Sequence, residues 1–252
     1  VAAAPSKRIL FFVPDANHHA LIRVSKSFNL YLQSTSANYA FQPVQSAVEF
    51  EKQLEMSDVS FVIVSSQYLK QSNVPLEPLL VQAQEQDVYY RKILVAKVGT
   101  TARALNGKHI AAAIGSIDRQ AATKNLLAQL KESTSGITPG MVVPVTKDID
   151  ALFALTFGHV QGALVTPSSI EVLQKVSPAA AARVKTIYVS PPILRAPLAA
   201  VGSRVSPQEK KRFVSTLKSM FQDKNGKRVM VGLEFDSWRI YEESMLTTGH
   251  KR

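Results

Sequence analysis

Asp58-Val59-Ser60-Phe61-Val62-Ile63-Val64-Ser65-Ser66-Gln67-Tyr68 decides the fold class. Its apolar core, Val59–Val64, is continuous rather than alternating, as in a strand covered on both faces of a parallel sheet. The small polar pair that follows opens a loop at the strand's C-terminal end, where α/β sheets place their ligands. Upstream, Arg8–Pro14 (RILFFVP) reads as a second buried strand and Tyr39–Val44 as a third. Between them, Leu21–Gln33 carries Leu21, Val24, Phe28 and Leu32 at helical spacing. Ser46 and Glu49 form a capping box that opens a helix to about Leu54. Strand, helix, strand, helix, strand is the start of a doubly wound α/β lobe.

Downstream the alternation resumes. Tyr90–Val98 reads as a strand leading out of the first lobe, Leu105-Asn106-Gly107-Lys108 as a turn, and His109–Ile114 as a strand. Arg119–Lys131 reads as a helix, Met141–Val145 as a strand, Asp148–Phe157 as a helix and His159–Val165 as a short strand. Ser168 and Glu171 frame a further capping box. Thr186–Val189 is a strand broken by Ser190-Pro191-Pro192. Ser206-Pro207-Gln208-Glu209 is a strong helix start, with the helix running to about Gln222.

The 252 residues suffice for one or two compact lobes, and 46% hydrophobic against 19% charged residues excludes a disordered chain. Without cysteine there are no disulfides, zinc–thiolate sites or thiol nucleophiles. The opening Val1-Ala2-Ala3-Ala4-Pro5-Ser6 suits the segment just after a signal-peptide cleavage site. No stretch of about 18 apolar residues follows that could span a membrane. The net charge of +11 is densest at Arg204, Lys210, Lys211, Arg212, Lys218, Lys224, Lys227 and Arg228. Phe213, Leu217, Met220 and Phe221 take the other face of that region. We read this as a solvated amphipathic helix surface rather than a nucleic-acid site.

Catalytic and metal chemistry find little support. His18-His19 are adjacent and lack a carboxylate–histidine constellation, so no metal is expected. Ser65-Ser66 and Ser168-Ser169 stand outside any Gly-x-Ser-x-Gly elbow, and no phosphate-binding glycine loop occurs. The expectation is a protein that is not an enzyme and carries no cofactor.

The order of the pieces resembles the phosphate/phosphite/phosphonate-binding proteins of bacterial ABC importers, in the type II periplasmic binding protein superfamily. The resemblance rests on Asp58–Tyr68, on Tyr90 before a hydrophobic crossover strand and on Leu105–Ala111. It rests also on Gly158–Val165, on Val189-Ser190-Pro191-Pro192-Ile193 and on Gly232-Leu233-Glu234-Phe235 leading to Tyr241. It implies two doubly wound α/β lobes joined by two hinge crossings, one of residues 1–96 plus 190–252 and one of 97–189, with ligand held between them by hinge closure. It also implies a periplasmic, monomeric protein that binds a small molecule and hands it to a membrane transporter.

Candidate ligand-binding residues follow from the strand ends and from the resemblance: Asp15, Asn17, Ser65, Ser66, Tyr68, Tyr90, Ser116, Arg119, Lys147, Gln161 and Thr166. Three positions depart from the family's pattern. In Gly115-Ser116-Ile117-Asp118-Arg119-Gln120, Asp118 as an N-cap would occupy the N–H groups that an anion needs. It would also repel that anion by roughly 3 kcal/mol, taking about 5 Å and an effective dielectric of about 20. Gln161 stands where the pattern has Asp, and Thr146-Lys147-Asp148 where it often has Ser-His. The ligand is therefore expected to differ from a phosphonate. Either it is a small polar or anionic solute held by Ser116, Arg119 and Lys147, or it is lipid-like, such as a sterol. The second would lie along Tyr68, Tyr89, Tyr90, Ile117, Ile193 and Leu194, in a carrier or a ligand-sensing module on the same fold.

Overall fold

A computed structural model describes residues 7–13, 18–35, 37–113, 127, 130–131 and 136–248. The strands are β1 Lys7–Phe12, β2 Tyr39–Val44, β3 Val59–Ile63, β4 Leu76–Ala83, β5 Tyr89–Tyr90, β6 Ile93–Lys97, β7 His109–Ala113, β8 Met141–Val145, β9 Gly162–Val165, β10 Val184–Val189, β11 Ile193–Leu194, β12 Pro197–Val201 and β13 Ser237–Ile240. The helices described are α1 His18–Ser34, α2 Ala47–Leu54, α3 Ser66–Gln71, α4 Asp148–Thr156, α5 Pro167–Val176, α6 Pro178–Ala181, α7 Pro207–Lys218, α8 Lys224–Gly232 and α9 Ser244–Thr248. The helix expected over Arg119–Lys131 falls largely outside the described residues.

The chain divides into two compact units. One contains the residues up to Tyr89 together with those from Leu194 onward, and the other is Tyr90–Ile193. The sequence reading set these boundaries at 96 and 190. They lie elsewhere because β6 pairs with β9 and β10, inside the second unit.

The first unit is built on a six-stranded sheet of order β13-β4-β12-β3-β1-β2. Strand β1 runs parallel to both β2 and β3, as the early alternation requires. Strand β12, made after the chain has built the second unit, inserts antiparallel between β3 and β4. All five of its residues are buried, and Ala199 and Ala200 allow close cover on both faces. Neither β4 nor β12 was read from the sequence pattern, and each carries a proline. Pro197 is the first residue of β12, and Pro78 sits where the β4–β12 register slips between Leu198 and Ala199, which relieves the missing donor.

Sequence alternation sorts the side chains. Ile9 and Phe11 point to the face covered by α1, α7 and α8, where Phe28, Phe213, Leu217 and Val229 meet them. The Phe61 and Phe213 rings stack at 4.3 Å. On the other face Phe12 packs against Phe50 of α2 at 5.0 Å. Ser46 and Ser206 cap α2 and α7 as expected, accepting from Glu49 N and Glu209 N. Helix α7 stops at Lys218 rather than Gln222; a 3-10 turn follows, and Asp223 then caps α8. A Cβ on Gly226 would stand 2.2 Å from the Met220 carbonyl oxygen, so glycine is what lets this turn fold so tightly.

The second unit has a five-stranded sheet of order β10-β6-β9-β7-β8. Strands β7, β8 and β9 are parallel; β6 runs against β9, and β10 against β6. Ile93, Val95, Ala111, Ala163 and Val165 face α4, α5 and α6, while Leu94, Ala96, Ile110, Ala112 and Leu164 face Leu105, Leu130 and Ile137.

Candidate functional site

Strand direction in the second unit assembles a polar edge. The parallel strands β7, β8 and β9 end together, with Ala113 opposite Val145. Because β6 is antiparallel, its first residue, Ile93, lies opposite Val165 at the end of β9, and Val189 at the end of β10 lies opposite Ile93. The residues just outside these positions therefore converge. They are Lys92 before β6, Asp148 at the first turn of α4, Thr166 before α5, and Ser190 after β10.

Their hydrogen bonds form one network. The Lys92 ammonium donates to Asp148 Oδ1 and to the Ala113 carbonyl, each at 3.2 Å. The Thr166 N–H donates to Asp148 Oδ2 at 2.6 Å. Side chains of the ion pair are 17% and 14% exposed, so both charges are largely withdrawn from water. Ser190, itself buried, pins the Lys92 backbone: its Oγ accepts from Lys92 N at 2.9 Å, and its N–H donates to the Lys92 carbonyl at 2.8 Å. Arg91 donates to the Ser190 carbonyl at 2.9 Å. Asp148 also sits in the first turn of α4, where the positive end of the helix dipole favours a negative charge. The edge thus holds an internal carboxylate on donors that suit an oxyanion.

The expected site residues fall in four places. Thr166 joins this network through its N–H, and its Oγ1 lies 3.2 Å and 2.9 Å from the hydroxyls of Ser168 and Ser169. Thr166, not Ser168, takes the N-cap position of α5, so the Ser168–Glu171 capping box does not form. Lys147, exposed, precedes Asp148, and its N–H donates to Asp150 Oδ2 at 3.1 Å. Tyr90, half-buried, lies in β5 just before Arg91 and Lys92. Gln161 lies at the opposite edge of the same sheet, at the start of β7 and β9, where its Oε1 accepts from His109 N at 3.3 Å.

In the first unit, Ser65 caps α3 by accepting from Tyr68 N at 3.1 Å, and Ser66 is that helix's first residue. Tyr68 is 7% exposed, packs on Phe12 and Phe50, and donates its hydroxyl to Glu51 Oε1 at 2.9 Å. Burial, and after it the bond to Glu51, pushes its phenol well above the ordinary range. These contacts make Tyr68 a core residue that ties α3 to α2. Tyr89 donates its hydroxyl to the Met245 carbonyl at 3.0 Å. Asp15, Asn17, Ser116 and Arg119, with Asp118, lie outside the described residues. No group of His, Cys, Asp or Glu among the described residues could hold a metal ion.

The pairing of Lys92 with Asp148 was not legible in the sequence. The signals available were a lysine directly before a buried strand and an aspartate opening a helix directly after one. Neither points to the other until the direction of β6 is known.

Residues 10–246 match a family described as the periplasmic substrate-binding protein of phosphonate ABC transporters. The chain belongs to this family. Its members are substrate-binding transport proteins that work with ABC transporter membrane components. Solved structures agree on the fold. A protein from Xanthomonas citri, solved with chloride, is similar at TM-score 0.72 and 12% identity, over 97% of each chain. A binding protein component of a phosphonate ABC transporter from Pseudomonas aeruginosa is similar at TM-score 0.68 and 13% identity, over 96% of this chain and 83% of that one. PhnD1 from Prochlorococcus marinus, in complex with methylphosphonate, is similar at TM-score 0.70 and 12% identity, over 96% and 95%. No curated protein matches the sequence. The fold is thus the type II periplasmic binding protein fold, as the sequence resemblance implied. Among the described residues no helix is long and apolar enough to cross a membrane.

Proposed function

We propose that this family member is an exported, non-catalytic capture protein for a small polar solute, and that the Lys92–Asp148 edge of the second unit is part of its ligand-binding surface. The observation that carries the reading is the Asp148 carboxylate, held by the Lys92 ammonium at 3.2 Å and the Thr166 N–H at 2.6 Å. An external phosphonate would compete for both donors and meet a like charge beside them. The ligand that fits is neutral or cationic there, offering Asp148 a hydrogen-bond donor rather than a dianion. Tyr90, Lys147 and Thr166 stand beside this pair in sequence or space, and Ser116 and Arg119 are retained as candidates from the sequence. Ser65 and Tyr68 are read as structural, because Ser65 accepts the α3 cap bond and the buried Tyr68 hydroxyl donates to Glu51.

The test is a melting-temperature screen of the purified chain against methylphosphonate, phosphate, amines, zwitterions and neutral polyols, with native mass spectrometry of whatever co-purifies. The reading expects a shift from an amine, zwitterion or neutral solute and little from the oxyanions. A dominant shift with methylphosphonate would overturn the assignment of ligand class. A co-purified sterol or acyl lipid would overturn the polar reading altogether.

A further inference from the structure

Helices α1, α7 and α8 cover one face of the first unit's sheet, burying Leu21, Val24, Phe28, Phe213, Leu217 and Val229 beneath them. Their charged residues are nearly all of one sign, and one of them, Lys210 of α7, is paired with Glu77 of β4. Two lysines or arginines stand on α1, four on α7 and three on α8, against a single carboxylate, Glu209 of α7. That carboxylate is tied to the Lys7 ammonium at 2.6 Å and to the Tyr39 hydroxyl. Asp223, between α7 and α8, is used by the N–H groups of Asn225 and Gly226 at 2.7 and 2.9 Å.

Large apolar side chains stand among these cations. On α1 the exposed stripe includes Ile22 (53% exposed), Arg23, Lys26 and Leu30 (42%), at helical spacing. On α8 it is Lys224, Lys227, Arg228 and Val231 (78%). The two helices pack side by side, and a Cβ on Gly232 would lie 2.6 Å from Val24 Cγ2, so the stripes are neighbours. Exposed apolar side chains occur elsewhere on the chain, Val48 and Phe157 among them; on this face Ile22, Leu30 and Val231 stand within one field of cations. A nucleic-acid face would be expected to use polar or aromatic contacts to bases and sugars in their place. Cations mixed with aliphatic side chains on a helical surface match the headgroup boundary of an anionic bilayer.

We propose that the α1–α8 face docks the first unit on a bilayer surface rich in anionic phospholipid, independently of ligand capture. Each cation near such a surface contributes about fivefold to partitioning, so the triple variant Lys26→Gln/Lys224→Gln/Lys227→Gln should bind about a hundredfold more weakly. The experiment is co-sedimentation of the full chain with vesicles of phosphatidylcholine alone, or with about 30% phosphatidylglycerol, between about 0.05 and 0.5 M salt. The expected result is binding to anionic vesicles, loss at high salt, and loss in the triple variant at unchanged melting temperature. Ile22→Ser/Val231→Ser should weaken vesicle binding several-fold at unchanged charge. Equal binding to both vesicle types, or wild-type binding by the triple variant, would overturn the proposal. So would a preference for duplex DNA over vesicles that the serine variant leaves untouched, which would assign the face to nucleic acid.

Discussion

The Arg8–Asp58 ion pair of the first unit and the Lys92–Asp148 ion pair of the second both sit at sheet ends, and they are built differently. In the first unit Arg8, the second residue of β1, grips both oxygens of Asp58, at 2.7 and 2.8 Å. It donates further to Gln42 and Gln53, at 3.0 and 2.7 Å. This cluster lies at the start of parallel strands, and the Asp58 side chain is 44% exposed. In the second unit Lys92 and Asp148 meet where three parallel strands end and helices begin; the cations are almost equally exposed, but the carboxylate is far less so, at 14%. The first arrangement uses its cation fully and closes a loop. The second places charge where α/β sheets meet their ligands. The position of a pair relative to strand direction, more than its geometry, separates a brace from a site.

The largest effect that would sharpen this contrast is on stability. Lys92→Met leaves Asp148 largely buried without its cation, and should destabilise the second unit by about 3–5 kcal/mol in urea unfolding. Lys92→Met/Asp148→Asn should recover most of that loss. A Lys92→Met change of a few tenths of a kcal/mol would mean that the pair is solvated like the first unit's.

Why this pair escaped the sequence is instructive. The early strands, the Ser46 and Ser206 caps and the family resemblance were legible because each signal is local: continuous apolar runs, Ser-x-x-Glu spacing, ordered motifs. Lys92 and Asp148 meet only because β6 is antiparallel to β9, and nothing within Ile93–Lys97 encodes direction. Strands β4 and β12 likewise depend on pairing that lies outside each of them. Their prolines are tolerated through a register slip that requires both strands to be present. Ser65 and Tyr68 show what the sequence leaves open in the opposite sense. They follow a strand end, as ligand residues do, and in the folded unit a local cap bond and the Glu51 bond engage their polar groups.

A smaller effect tests that last point. Tyr68→Phe removes one hydrogen bond and should cost about 1 kcal/mol in denaturant unfolding, with ligand affinity unchanged. A tenfold loss of affinity would return Tyr68 to the site.

The smallest effect belongs to Asp58. Its hydrogen bond to Arg8 holds its carboxyl below the usual range, against a smaller opposing effect of burial. Its folded pKa lies below the unfolded value, so its stabilisation is present above about pH 4 and is lost as pH falls through the folded value. Wild type and Asp58→Asn should differ modestly in melting temperature near neutrality and converge in acid. A gap that widens on acidification would contradict this assignment.

The central claim, that an internal carboxylate takes the place of a phosphonate at the second unit's edge, is tested most directly by calorimetric titration of methylphosphonate into wild type and Asp148→Asn. The account predicts weak or undetectable binding to wild type and at least tenfold tighter binding to the variant, which frees Lys92 and the Thr166 N–H and removes the repelling charge. Tight binding to wild type that the substitution abolishes would contradict it, and would make Asp148 a support for the anion rather than its substitute.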